Sequence, residues 1–168
     1  MGARLWFPDG RLQHAGVVIG LGGVAGHPNK YFPRGHVGYF GRAVLAQSFS
    51  AVTAACLMVR REVWEKVQGL EEALAVAFND VDFCLRVNAA GYRNVWTPYA
   101  EMNHHESASR GNETSPEKLA RYEQEISLMQ TRWGDVLMSD PAYNPNLTHR
   151  HDDFSLAWPP RVPMSVER

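Results

Sequence analysis

Two short segments of the chain carry the side chains best suited to chemistry. Residues 77–86 contain Asp80 and Asp82, and a later segment contains the adjacent pair His104 and His105. Carboxylates accept protons in acid/base catalysis, and a neutral imidazole is a common metal ligand. The two segments therefore predict acid/base chemistry, metal chemistry or both in one cleft.

The two aspartates are expected to have different roles. Residues 80–90 have apolar side chains at helical spacing, so we predict a helix there that Gly91 ends, with Asn79 or Asp80 as its cap. Side chains two residues apart on a helix are separated by about 200° around its axis, so Asp80 and Asp82 do not share a face. Asp80 is either a simple helix cap or a proton acceptor that projects from the helix start into a cleft.

Asp82 has a simpler interpretation. It precedes Arg86 by four residues, which is the spacing of an ion pair on a helix surface. Such a pair contributes a few tenths of a kcal/mol to helix stability. We therefore predict that Asp82 mainly braces the helix.

The histidine pair follows a predicted strand, residues 93–96. Adjacent side chains on an extended segment point in opposite directions, so at most one of His104 and His105 faces the cleft. That residue is either an ordinary hydrogen-bonded histidine or a metal ligand, and no Cys/His set has the spacing of a zinc site. The remaining histidines are scattered and suggest no role from their pattern: His14, His27, His36, His149 and His151.

Composition limits the classes of protein to consider. The chain has 168 residues, 45% of them hydrophobic, which is enough for one domain with a sizeable core. The net charge of −1 gives no basic field for nucleic acid or an anionic membrane surface. No apolar run reaches the roughly 18 residues of a membrane span, so we expect a cytoplasmic protein with reduced cysteines at Cys56 and Cys84.

The elements that must position these residues can be predicted along the chain. Residues 5–7 and 12–19 form a strand pair around a Pro-Asp-Gly turn, and the glycine-rich residues 20–42 form a long loop. The apolar run 51–59 suggests a central strand that is covered on both faces. Residues 60–68 then form a short helix that Gly69 ends.

The most regular element is a helix that begins near Ser115. Ser115 is a suitable cap and Pro116 suits the first helical position. The apolar stripe on this helix is assigned to the core rather than to a ligand site, and it consists of Leu119, Tyr122, Ile126, Met129 and Trp133. Beyond residue 135 the proline-rich segment 136–168 is predicted to be an extended tail that lies on the body or on a partner.

Five segments in a fixed order resemble a known family. They are 54–61 (AACLMVRR), 67–72 (VQGLEE), 78–86 (FNDVDFCLR), 91–98 (GYRNVWTP) and 104–111 (HHESASRG). Together with 7–10 (FPDG), they resemble the carboxy-terminal half of bacterial inverting family 2 glycosyltransferases over residues 3–160. That resemblance implies an α/β fold: a partial GT-A-like, nucleotide-diphospho-sugar transferase domain with a mixed sheet and flanking helices, spanning residues 1–135.

The resemblance also implies roles for individual residues. Asp80 matches the catalytic base of the family, which accepts the proton of the acceptor hydroxyl. Asp82 and Arg86 match supporting residues, and Asn79 stands where the family often has Glu. His104, or alternatively His105, matches a histidine that helps to hold a divalent ion (Mg²⁺ or Mn²⁺) in the full-length enzyme, with none held tightly by this part alone.

The same resemblance implies which substrates the full-length enzyme uses and that this part of it is inactive alone. The partners are a nucleotide-sugar donor and a saccharide or lipid-linked acceptor, used for cell-surface polysaccharide. The N-terminal half of the family, with its Asp-x-Asp motif, has no counterpart in the sequence, so we expect a truncated domain that is inactive alone. We expect no nucleic-acid partner. Self-association is expected where an apolar face lacks the missing half.

Two alternatives to this function come from other classes. A non-enzymatic binding module on the same scaffold would use the glycine-rich loop 20–42 and the proline-rich tail as contact surfaces. A hydrolase that uses Asp80 and Asp82 as its acid/base pair is disfavoured, because two carboxylates on opposite helix faces do not converge on one sugar.

Overall fold

A four-stranded mixed sheet lies at the centre of the computed structural model, which describes residues 1–105 and 115–161. Its strands are β1 (Gly2–Trp6), β2 (Leu12–His14), β5 (Gln47–Phe49) and β6 (Asn94–Asn103), in the order β2-β1-β6-β5. β1 is antiparallel to β2 and parallel to β6, and β5 is antiparallel to β6. A separate small sheet pairs β3 (Val18–Ile19) with β4 (Ala25–Gly26). The predicted strand pair around the Pro-Asp-Gly turn and the mixed sheet are both confirmed.

Strand β6 carries an interruption opposite β1. Ala3 pairs with Thr97, but the next residue, Arg4, pairs with Glu101, so residues 98–100 have no partner on β1. Pro98 cannot donate a ladder hydrogen bond, which favours an irregularity at this point. The strand therefore continues well beyond the short one predicted at 93–96, and it delivers Glu101 to the Arg4 side chain at 2.8 Å.

The prediction of a central strand at 51–59 is wrong. Ala51 and Leu57 make only isolated bridges to other strands, and Ala54–Cys56 form a 3-10 turn. The side chain of Thr53 accepts a hydrogen bond from the Ala55 amide at 3.3 Å, which favours the turn over an extended strand. Only Ala51 and Val52 of this run are buried, so its apolar composition does not mean cover on both faces.

In the described part of the chain, three helices flank the sheet: α1 (Arg61–Lys66), α2 (Asn79–Ala89) and α3 (Pro116–Met138). The predicted left-handed glycine beyond α1 is confirmed, with φ of 68° at Gly69. Gly91, which was predicted to end α2, is also left-handed, with φ of 87°. The Ser115 side chain accepts a hydrogen bond from the Lys118 amide at 3.3 Å, as expected of a helix cap.

The apolar stripe of α3 is only partly in the core. Met129 is fully buried, and Ile126 and Trp133 pack against the core. Leu119 and Tyr122 are exposed, so the prediction that the whole stripe is core is wrong for the first half of the helix. That half contacts a loop rather than the sheet, because the Tyr122 ring lies against Phe78 with centroids 5.7 Å apart.

The segment after α3 lies on the body of the protein as far as residue 161. Tyr143, Leu147 and Phe154 form a second apolar cluster with Val18 and Leu21. Asp140 adds a polar attachment, since its carboxylate accepts a hydrogen bond from the Ile19 amide at 2.8 Å. No helix within the described ranges is both long and apolar enough to cross a membrane.

Candidate functional site

Asp80 lies in the first turn of α2 and lines an open cavity of about 370 Å³. Its Oδ2 accepts a hydrogen bond from the Ala54 amide and its Oδ1 accepts one from the Val81 amide, both at 2.9 Å. Both of these donors belong to the backbone. The carboxylate is thus oriented by main chain, and each oxygen keeps a further lone pair.

The cavity has two walls. One is the segment that leads into α2, residues 76–78, and the other consists of Val17, Ala25 and His27. Phe78 precedes the helix in a left-handed conformation with φ of 62°, and no side chain caps the helix. Asn79 and Asp80 are the first helical residues rather than the cap, so that prediction is wrong.

Asp82 is completely buried and binds three side chains. Its Oδ2 accepts a hydrogen bond from Arg86 Nε at 2.7 Å, and its Oδ1 accepts from Arg132 Nη1 and Trp133 Nε1, each at 2.9 Å. Burial of the carboxylate opposes ionisation, but the hydrogen bonds from Trp133, Arg132 and Arg86 outweigh it and lower the pKa of Asp82. We call these four residues the Asp82 cluster.

The predicted pairing of Asp82 with Arg86 is confirmed, but its location differs from the prediction. Asp82 is buried and Arg86 is partly buried, and Arg86 also donates to the carbonyls of Val67 and Gly69, the latter at 2.8 Å. Arg132 extends the cluster to Glu71 at 2.8 Å. The Asp82 cluster therefore ties α2 to α3 and to the loop after α1.

His104 lies beyond the end of β6, next to strand β2. Its Nδ1 is 2.9 Å from Gln13 Oε1, and its backbone amide donates to the Trp6 carbonyl at 2.9 Å. The side chain lines a small cavity of about 60 Å³ that also contains His14 and His27. His105, the alternative, is exposed.

Asp80 and His104 do not line the same cavity. The two cavities are neighbours, because His27 lines both of them. Residues 106–111 of the histidine segment lie outside the described residues. The structure therefore brings the two predicted segments close together, with His27 between them.

His14 and His27 were not predicted as site residues. Their Nδ1 atoms are 2.9 Å apart, and the Thr53 amide donates to His14 Nε2 at 3.5 Å. His14 is 1% exposed, and burial, with the neighbouring His27, lowers its pKa well below the ordinary value of 6.5. The sequence signal for this buried position was the alternation of Leu12 and His14 on a short strand, which places both on one face.

We tested whether the described residues fit a divalent cation. Among residues 1–105 and 115–161 there is no group of three or more His, Cys, Asp or Glu side chains that could hold one. Of the two predicted ligands, His104 is hydrogen-bonded to the neutral side chain of Gln13, and the alternative, His105, is exposed. These residues do not make up a cation site, and the metal stays a prediction.

Comparison with known proteins finds relatives that are much longer than this chain. The chain is 59% identical over 160 residues to the uncharacterized protein y4gI of Sinorhizobium fredii, a match that covers 95% of the chain and 18% of that protein. It is 41% identical over 157 residues to the O-antigen biosynthesis protein RfbC of Myxococcus xanthus, which covers 93% of the chain and 12% of that protein. No protein-family model matches the chain, and no solved structure matches it significantly.

A third relative has a more specific name. Over 71 residues, 42% of the chain, it is 32% identical to the N-acetylglucosaminyl-diphospho-decaprenol L-rhamnosyltransferase of Mycobacterium tuberculosis, of which the match covers 23%. The chain thus spans less than a quarter of each of these curated relatives. The two relatives with functional names are therefore an O-antigen biosynthesis protein and a rhamnosyltransferase, and the chain is similar to a part of each.

Proposed function

We propose that the chain is the acceptor-side part of an inverting glycosyltransferase with a GT-A-like fold. It moves a sugar from a nucleotide-sugar to a hydroxyl group of a saccharide or lipid-linked acceptor in the synthesis of cell-surface polysaccharide. One observation carries the proposal: the Asp80 carboxylate faces an open cavity of about 370 Å³ and is held by backbone amides. The names of the relatives support the same class of reaction.

The proposed reaction is a single displacement in which Asp80 acts as general base. The acceptor hydroxyl oxygen attacks the anomeric carbon of the donor while Asp80 takes the hydroxyl proton. The bond from that carbon to the diphosphate breaks, the nucleoside diphosphate leaves with the electron pair, and the configuration is inverted. Positioned proton transfer of this kind typically accelerates a reaction by about 10² to 10⁴.

The surrounding residues suit this role for Asp80. The amides of Ala54 and Val81 orient the carboxylate from two sides, so it needs little rearrangement when the acceptor binds. The start of α2 adds its positive dipole end next to the carboxylate. No step of the proposal depends on a metal ion, because the described residues do not form a site for one.

The test replaces the base in the full-length protein. Asp80→Asn keeps the shape of the side chain but removes its capacity to take a proton, so turnover falls by about 10² or more with donor binding nearly unchanged. Release of nucleoside diphosphate is measured with a panel of nucleotide-sugars that includes an L-rhamnosyl donor. The acceptor is a lipid-diphosphate-linked N-acetylglucosamine.

Asp152→Asn is the matched control, because Asp152 is an exposed aspartate on the segment after α3. It should leave turnover at the wild-type rate. Wild-type turnover in the Asp80→Asn protein would remove Asp80 as the base.

The alternative function, a non-enzymatic binding module, is favoured by a different observation. The glycine-rich loop and the segment after α3 expose large apolar side chains, with Phe40 and Trp158 each 84% exposed. Isolated exposed aromatic residues are common in binding surfaces. If the full-length protein binds saccharide without releasing nucleoside diphosphate from any donor, this alternative replaces the glycosyltransferase proposal.

A further inference from the structure

Residues 76–78, which lead into α2 and form one wall of the Asp80 cavity, are held in place by side chains of α3. Glu125 is 2% exposed, and its two carboxylate oxygens accept hydrogen bonds from consecutive backbone amides. Oε1 accepts from Val76 at 3.0 Å and Oε2 accepts from Ala77 at 2.9 Å. Hydrogen bonds to an ionised acceptor are about twice as strong as neutral ones, so this contact fixes the two residues firmly.

The next residue of the wall is held by the same face of α3. Phe78 has a φ of 62°, a conformation that costs about 1–3 kcal/mol for a bulky side chain and persists only where the surroundings enforce it. Its ring lies over Tyr122 with centroids 5.7 Å apart and an interplanar angle of 29°. Tyr122 and Glu125 are three residues apart, which places them side by side on the helix.

These contacts act on the cavity rather than on the core. Val76, Ala77 and Phe78 all line the cavity, and Asp80 follows them after a single residue. None of the three wall residues is fully buried. The contacts from α3 therefore define the shape of the cavity and the position at which Asp80 enters it.

We propose that Glu125 is a positioning residue for the acceptor. It holds residues 76–78 so that the saccharide acceptor binds in the cavity with its reacting hydroxyl towards Asp80. The identity of the substrate in this role rests on the proposed function. The hydrogen bonds that hold residues 76–78 can be tested without any glycosyl transfer.

Glu125→Gln directly tests whether the Glu125 carboxylate holds residues 76 and 77. The amide side chain keeps the size of the carboxylate, but its NH₂ group faces one of the two backbone N–H groups, and the charge is lost. The amides of Val76 and Ala77 should then exchange with solvent at least about tenfold faster, since local opening governs exchange. Hydrogen exchange of the full chain is the measurement, and amides in the middle of β6 should be unchanged.

Glu123→Gln is the matched control, because it makes the same chemical change two residues earlier at an exposed position of α3. Exchange in this variant should equal that of the wild type. Unchanged exchange at Val76 and Ala77 in Glu125→Gln, or equal acceleration throughout the chain, would overturn the positioning role.

Kinetics in the full-length protein test the consequence for the substrate. Glu125→Gln should raise the KM for the acceptor about tenfold and leave the KM for the donor unchanged, because the wall contacts one substrate only. An equal change in both KM values contradicts the proposal. If Glu125→Gln does not fold, Tyr122→Leu removes the other support of the wall and should raise the acceptor KM in the same selective way.

The two proposals can fail separately. Wild-type turnover in Asp80→Asn removes the base and leaves the exchange result standing. Normal exchange in Glu125→Gln removes the positioning role and leaves Asp80 as the base.

Discussion

Two carboxylates on one helix, two residues apart, have opposite surroundings. Asp80 faces a cavity and accepts hydrogen bonds from two backbone amides. Asp82 is fully buried and accepts hydrogen bonds from Arg86, Arg132 and Trp133. On this helix, the carboxylate enclosed by side-chain donors joins elements together, whereas the one that lines the cavity keeps its capacity for a ligand.

The largest expected effect on stability comes from the buried member of this comparison. Asp82→Ala leaves two arginines and an indole N–H without their shared acceptor, so the free energy of unfolding should fall by about 3–5 kcal/mol. Chemical denaturation is the measurement. Asp80→Ala, the matched variant, loses two hydrogen bonds from backbone amides and a favourable charge at a helix start, so it should cost less, about 2 kcal/mol or below. Similar losses in the two variants would break the comparison.

A smaller effect is expected from a single donor of the Asp82 cluster. Trp133→Phe keeps most of the apolar ring but removes the N–H group that lies 2.9 Å from Asp82. A hydrogen bond to a charged group contributes about 1.5–3 kcal/mol, so the free energy of unfolding should fall by that amount. Tyr122→Phe on the exposed half of α3 is the control. A loss no larger than that of the control would show that the two arginines suffice for Asp82.

The smallest effect is the dependence of stability on acid. The pKa of Asp82 in the folded protein lies below its ordinary value of 3.8, so the unfolded chain binds this proton first as the pH falls. Stability contributed by Asp82 is therefore present above about pH 4 and is lost below it. Unfolding of wild type and Asp82→Asn between about pH 2 and 6 should show a shallower acid dependence in the variant. Parallel curves would contradict the lowered pKa.

Local patterns predicted much of the fold. The strand pair around the Pro-Asp-Gly turn, the helix that ends before Gly91 and the helix that begins after Ser115 all have short-range signals in sequence. The structure of residues 51–59 was not predictable in this way, because an apolar composition cannot distinguish a buried strand from a chain that bends at a polar contact. There the bend depends on Asp80, which binds the Ala54 amide from a distant part of the sequence.

The site was less predictable than the fold because its contacts are long-range. Asp82 has the spacing of a surface ion pair with Arg86, and its burial depends on Arg132 and Trp133, fifty or more residues later. Glu125 has the pattern of an ordinary helix-surface ion pair with Arg121, four residues earlier, which lies 3.8 Å away. Its burial and its hydrogen bonds from the Val76 and Ala77 amides have no sequence signature. Asp80 was accessible to sequence reasoning because its position at a helix start is a local property.

The interruption in β6 has a consequence for the face on which the end of the strand carries its side chains. Three residues, 98–100, are passed over between the pairs Ala3–Thr97 and Arg4–Glu101. Side chains alternate between the two faces of a strand, so an odd number of extra residues exchanges the faces of everything that follows. Insertions and deletions at this point preserve the salt bridge of Glu101 only in steps of two. The length of this small detour therefore sets the face of β6 on which Glu101 lies, and with it the contact to Arg4.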